Sequence, residues 1–136
     1  MSESGSLVLD AQPLIAMLAK EPSRRQVRMR MESAASTGEV LISAVNWSEV
    51  LAFAMRTLGA EETARFVGQL DLVPVRVVDV GPVLAGRAAA IRVAHGLSLG
   101  DSFAAALALA TGLPLLTADA DFRRLAADGL ALELVG

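Results

Sequence analysis

Asp10 closes the apolar run Leu7-Val8-Leu9, Glu49 and Asp101 each open a helical segment, and Asp119 follows Leu115-Leu116-Thr117. Acids at the carboxyl ends of parallel strands lie where α/β sheets form their ligand crevices. A cluster of them there is an oxygen-rich site for hard cations, and so for displacement at phosphorus. Two carboxylates about 5 Å apart repel by roughly 3 kcal/mol at an effective dielectric of 20, so a convergent set calls for cations to neutralise it. Four negative charges match two divalent ions. Oxygen ligands favour Mg²⁺, with Mn²⁺ as substitute. One histidine and no cysteine exclude the common zinc sites.

Each acid also has a local reading. Asn46-Trp47-Ser48-Glu49 fits a capping box, with Asn46 as N-cap and Glu49 reaching back to its backbone N–H. Asp101 suits the positive end of its helix dipole, and Asp119 could cap the helix containing Phe122 and Leu125. Capping explains Asp10 least, because Gln12 is nearer the N-cap position before Pro13. Local capping does not explain why all four acids follow strands or their return loops.

The elements that must position these acids alternate. Strands are predicted at 7–9, 40–42, 72–78, 115–117 and 130–135, and helices at 13–19, 23–37, 46–58, 60–70, 81–94, 100–111 and 120–128. That order is the pattern of an α/β fold with a helix-covered parallel sheet. Continuous apolarity in Leu7-Val8-Leu9 and Pro114-Leu115-Leu116 marks central strands buried on both faces. Pro13, Pro22 and Pro82 fall near helix starts, while Gly38, Gly59, Gly96, Gly112 and Gly129 follow helix ends. The helix from Asp101 to Ala110 is apolar nearly all round, so it packs deep with only its N-terminus open.

A length of 136 residues suits a single domain spanning 1–136 with a substantial core. Mean hydropathy is +0.51, yet the longest apolar stretch, Phe103 to Ala118, is broken by Thr111, Gly112 and Pro114, leaving nothing long enough to span a bilayer. The acidic, polar start lacks the basic region of a secretory signal, and without cysteine no disulfide can form, so a cytoplasmic location is expected. A net charge of −3 argues against bulk attraction to nucleic acid and requires local basic patches.

Four segments in order, Leu7-Val8-Leu9-Asp10, Ser43-Ala44-Val45-Asn46-Trp47-Ser48-Glu49-Val50, Leu97-Ser98-Leu99-Gly100-Asp101-Ser102 and Leu116-Thr117-Ala118-Asp119-Ala120-Asp121-Phe122, resemble the PIN-domain ribonucleases, particularly VapC-type toxins. The resemblance covers nearly the whole chain. It implies a PIN-like three-layer α/β/α fold with a five-stranded, mostly parallel sheet. The activity it implies is that of a Mg²⁺-dependent endoribonuclease, the toxin of a toxin-antitoxin pair, cleaving RNA by metal-activated water to leave 5′-phosphate and 3′-hydroxyl ends. A cognate antitoxin and a homodimer are the implied partners, alongside the RNA substrate. By motif position Asp10, Glu49, Asp101 and Asp119 become the acidic metal ligands, Thr117 the accompanying hydroxyl, and Asp121 a fifth candidate ligand. The chain departs from the family where many relatives carry Ser or Thr after the first aspartate; here the residues are Ala11-Gln12-Pro13.

Other features are less specific. Ser23 to Arg30 is the densest basic segment and reads first as a solvated helix face, with phosphate or acidic-partner binding as the second reading. Trp47 reads as core or dimer packing, and His95 as a helix C-terminal residue without a catalytic role. Met17, Leu18, Met29 and Met31 could line a partner groove or fill the core. The alternatives to a toxin are a non-catalytic PIN-like module that holds RNA or a partner, and a housekeeping RNA-processing nuclease. A phosphorylated receiver would need an adjacent acidic pair after the first strand and a late lysine; neither is present.

Overall fold

The strands with no charged side chains lie at the centre of the sheet. In the computed structural model, which describes residues 5–70 and 74–136, β1 (Leu7–Leu9) lies between β2 (Val40–Ser43) and β4 (Leu115–Thr117), with β3 (Val75–Val78) and β5 (Leu132–Leu134) at the edges. The order is β3-β2-β1-β4-β5 and every pairing is parallel. The expected "mostly parallel" sheet is therefore parallel throughout. Residues 72 and 73 of the predicted third strand lie outside the described residues.

Alternation along β1 divides the interior into two cores. Leu7 and Leu9 join Val40, Ile42 and Leu116 on one face, while Val8 joins Leu41 and Leu115 on the other. The first face is covered by α1 (Gln12–Leu18), α2 (Arg24–Thr37) and α3 (Ala44–Gln69), and Trp47 packs there. The second is covered chiefly by α5 (Leu99–Thr111), whose residues Ser102 to Ala108 are all buried, with α4 (Pro82–His95) outside it. These are the three layers of an α/β/α fold.

Three local expectations change. The two helices predicted at 46–58 and 60–70 join into α3, broken at Gly59, whose φ of 84° and ψ of 171° are outside helical values and open to glycine. The cap of α3 is Ser43, which accepts from the Asn46 N–H at 3.0 Å, so the helix starts two residues before the predicted Asn46. The 120–128 segment is a 3-10 helix, Ala120–Asp128. Three residues per turn stack Phe122 over Leu125, and both are fully buried. This segment is fastened to the end of α4, with His95 Nε2 and Asp128 Oδ2 2.8 Å apart and Arg124 donating to the His95 carbonyl.

Candidate active site

Parallel pairing of β1 with β4 places their carboxyl ends side by side, Leu9 opposite Leu116. Asp10 leaves the end of β1 and is 2% exposed. Thr117, the last residue of β4, is fully buried; its Oγ1 donates to Asp10 Oδ2 across 2.6 Å and accepts from the Asp119 N–H at 3.1 Å. The Gln12 backbone N–H also reaches the Asp10 carboxyl. Asp10 Oδ1 has no hydrogen-bond partner, the one such buried side-chain atom among the described residues.

The other three acids come from three other elements. Asp101 lies in the first turn of α5, whose N-cap Ser98 accepts from the Asp101 N–H at 3.2 Å. Asp119 caps the 3-10 segment, its Oδ1 accepting from the Asp121 N–H at 2.8 Å. Glu49 lies on α3, its Oε1 accepting from Asn46 Nδ2 at 3.1 Å. The expected box contact from Glu49 to a backbone N–H is replaced by this side-chain contact, because the cap has moved to Ser43.

Burial and mutual repulsion show in the acidities. Burial pushes the Asp10 carboxyl up to about 7, with the Asp101 and Asp119 charges adding to the rise and the Thr117 hydroxyl opposing it. Asp101 is pushed up to about 6, again chiefly by burial, then by Asp119, with Glu49 contributing. Asp101 and Asp119 come within hydrogen-bonding reach of each other. The structure thus brings Asp10, Asp101, Asp119 and Glu49 within electrostatic range, with Thr117 among them. Asp121 is more exposed, its carboxylate 3.9 Å from Arg124.

The dipole reading holds for Asp101, in the first turn of α5 behind the Ser98 cap, and the capping reading holds for Asp119, whose cap occupies one carboxylate oxygen. Among the described residues no three acidic or imidazole side chains are drawn in around a single point as a closed cation cage. The Asp10, Glu49 and Asp119 carboxylates are turned to their own partners, Thr117, Asn46 and the Asp121 N–H respectively. The donor set nevertheless suits a hard cation: oxygen-only, anionic, and including a buried oxygen on Asp10 with nothing to satisfy it. Sequence reasoning missed Asn46 and Gly100. Asn46 is 1% exposed, and a Cβ at position 100 would meet both Glu49 carboxylate oxygens at 2.5 Å.

The PIN domain family matches residues 7–128, from the first residue of β1 through the 3-10 segment. Among curated proteins no sequence matches this chain. Among solved structures, VapBC2 from Rickettsia felis bound to a promoter DNA fragment is similar at TM-score 0.79 and 17% identity, covering 96% of this chain and 99% of that one. DNA-bound VapBC from Salmonella typhimurium is similar at TM-score 0.75 and 21% identity, covering 94% and 96%. VapC20 from Mycobacterium tuberculosis, a toxin that cleaves the sarcin-ricin loop, is similar at TM-score 0.69 and 19% identity, covering 96% and 99%. At these identities the likeness is one of fold. The family match spans most of the chain, and it begins and ends on the elements that carry Asp10 and Asp119: this chain belongs to the PIN-domain family, whose nucleases generally use a divalent metal.

Proposed function

We propose that the chain, working as one PIN domain, is a Mg²⁺-dependent endoribonuclease, with Mn²⁺ as substitute, and the toxin of a toxin-antitoxin pair. The observation that carries the nuclease reading is the unsatisfied buried Oδ1 of Asp10, a carboxyl within range of the Asp101 and Asp119 charges, beside the adjoining ends of β1 and β4. A buried, unpaired carboxylate oxygen is costly unless a cation completes it.

Asp10, Glu49, Asp101 and Asp119 would hold the ions, and Asp121 is proposed as a peripheral contributor. A divalent ion bound there supplies neutralisation of phosphate charge and activation of water. The protein's own part is placement. Thr117 fixes the Asp10 carboxyl through Oδ2, leaving Oδ1 without a hydrogen-bond partner. The Ser98 cap fixes the first turn of α5 and with it Asp101. A single-stranded or looped RNA is the favoured substrate, because a splayed backbone reaches recessed acids more easily than a regular duplex.

The toxin role rests on the fold shared with VapBC complexes and on a surface suited to an antitoxin. A hollow of about 260 Å³ between α1, α2 and the distal half of α3 has Met17, Leu18, Met31 and Phe66 among its walls, with Lys20 and Arg28 beside them. None of the four acids lines it, and with Lys20, Arg28 and Arg65 against the single acid Glu62 its lining fits an amphipathic, acidic segment. We further propose a homodimer and a cytoplasmic location; no single helix among the described residues is long and apolar enough to cross a membrane.

The test is cleavage of a structured RNA by purified protein in Mg²⁺, with EDTA and Asp10→Asn as controls. Cleavage that is lost in both supports the reading. Cleavage that persists in EDTA, or in a folded Asp10→Asn protein, removes it.

A further inference from the structure

We infer that Asn46 is a positioning residue for Glu49, and that Asn46, Ser43 and Gly100 together form a seat that holds the Glu49 carboxylate against the mouth of α5. The inference rests on the nuclease reading and deepens it by assigning what aims the one acid of the set that comes from α3.

Both polar atoms of the Asn46 side chain are engaged. Its Nδ2 donates to Glu49 Oε1 at 3.1 Å and to the Gly100 carbonyl at 3.0 Å, and its Oδ1 accepts from Ser43 Oγ at 2.5 Å. Both Asn46 and Ser43 are almost wholly buried. The amide therefore bridges α3 and α5 across a separation of 54 residues, and its orientation is fixed from both ends. Glu49 itself is exposed, so without this contact a flexible three-torsion side chain on the protein surface would have little to hold it.

Gly100 supplies the space. It lies in the first turn of α5, where glycine brings no helix propensity of its own, so its presence there needs a reason. A Cβ at this position would stand 2.5 Å from both Glu49 oxygens and 2.8 Å from the carboxyl carbon. Glycine leaves a notch into which the carboxylate folds, one residue from Asp101. The seat thus brings Glu49 beside Asp101, whose acidity already responds to the Glu49 charge. Partners that orient a metal-binding side chain typically contribute about 10- to 100-fold to metal affinity.

The test measures Mn²⁺ binding by titration calorimetry in wild type, Asn46→Ala, Glu49→Gln, Gly100→Ala and the Asn46→Ala/Glu49→Gln double variant, with melting temperature as the fold control. Asn46→Ala is expected to weaken Mn²⁺ binding about tenfold or more, and to add almost nothing in the Glu49→Gln background, because both changes remove the same aimed carboxylate. Gly100→Ala is expected to weaken Mn²⁺ binding without lowering the melting temperature, since alanine favours the helix while displacing Glu49. This variant also decides the matter if Asn46→Ala does not fold. Wild-type Mn²⁺ affinity in Gly100→Ala, or additive losses in the double variant, overturn the seat while leaving the nuclease reading intact. Wild-type protein that binds no Mn²⁺ overturns both.

Discussion

The Thr117 hydroxyl and the Asp10 carboxyl, 107 residues apart in sequence, are joined by a 2.6 Å hydrogen bond between the ends of neighbouring parallel strands. The same hydroxyl accepts from the Asp119 N–H, so a single oxygen ties the first acid of the site to the last.

Thr117→Val preserves shape and removes this link. Asp10 would lose the contact that opposes the rise of its pKa, and its buried carboxyl would be left with the Gln12 N–H alone. A buried group that loses its partner costs about 1–3 kcal/mol, so the midpoint of urea unfolding at neutral pH should fall accordingly. RNA cleavage should fall as well. Thr117→Ser, which keeps the hydroxyl, should recover most of both. A valine variant equal to wild type in stability and cleavage would show that the bond positions nothing.

The raised acidities fix the sign of the pH dependence. Asp10 has a folded value of about 7 and Asp101 of about 6, both above the ordinary 3.8. Between roughly pH 4 and 7 the folded state therefore binds more protons than the unfolded chain, and stability falls as pH rises. For Asp10 alone the shift corresponds to an upper bound of about 4 kcal/mol at roughly 1.4 kcal/mol per unit; Asp101 adds in the same direction. In EDTA the protein should unfold at higher urea at about pH 5 than at about pH 8. Asp10→Asn should flatten that slope. A slope of the opposite sign, or one unchanged in Asp10→Asn, would contradict the buried-acid account.

Divalent cations should reverse the penalty above pH 7, where the acids are ionised. Millimolar Mg²⁺ or Mn²⁺ bound by the folded state alone would raise the melting temperature by mass action. The rise should be smaller in Asp119→Asn, which removes one charge from the set that acts on both Asp10 and Asp101. Differential scanning fluorimetry with and without the ion provides the comparison. Equal increments in the two proteins would place Asp119 outside the cation site.

The strand ends were legible because a strand buried on both faces is a continuous apolar run; Leu7–Leu9 and Leu115–Thr117 match their predicted limits. From there the topology of a parallel sheet makes Asp10 and Asp119 neighbours without any knowledge of side chains. The Glu49 and Asp101 helix starts are legible from the capping and apolar patterns, while their membership of the candidate ligand set is what the family order of motifs implies. Less visible was everything decided by partners distant in sequence. Asn46 looked like a cap because Glu49 lies three residues on, but its amide is committed to Gly100 on another helix, and Ser43 takes the cap. Gly100 gave no turn pattern to mark it, since its reason lies in the Glu49 carboxylate above it. The 3-10 form of Ala120–Asp128 was hidden for a related cause: Phe122 and Leu125 are three apart, a spacing that suits either helix type.

The basic, apolar hollow beside α1 and α2 makes a separate prediction about the partner. Arg28 borders it together with Met17 and also borders the adjoining depression formed with Pro22, Arg24 and Arg25, so this guanidinium is shared by two contiguous parts of the surface. Arg28 is exposed, and the cations around it give this face a positive field within an otherwise acidic protein. Charge of this kind chiefly steers association, so its reversal acts first on the on-rate and its salt dependence. Arg28→Glu should slow capture of the proposed antitoxin partner about tenfold or more at low salt. The difference should shrink as salt is raised and the field is screened. Cleavage of RNA by the free protein should remain near wild type, because none of the four acids borders either hollow. Surface-plasmon resonance at two ionic strengths, paired with the cleavage assay, separates the outcomes. An unchanged on-rate would move the antitoxin to another face, and a parallel loss of cleavage would instead make this basic face part of the RNA path.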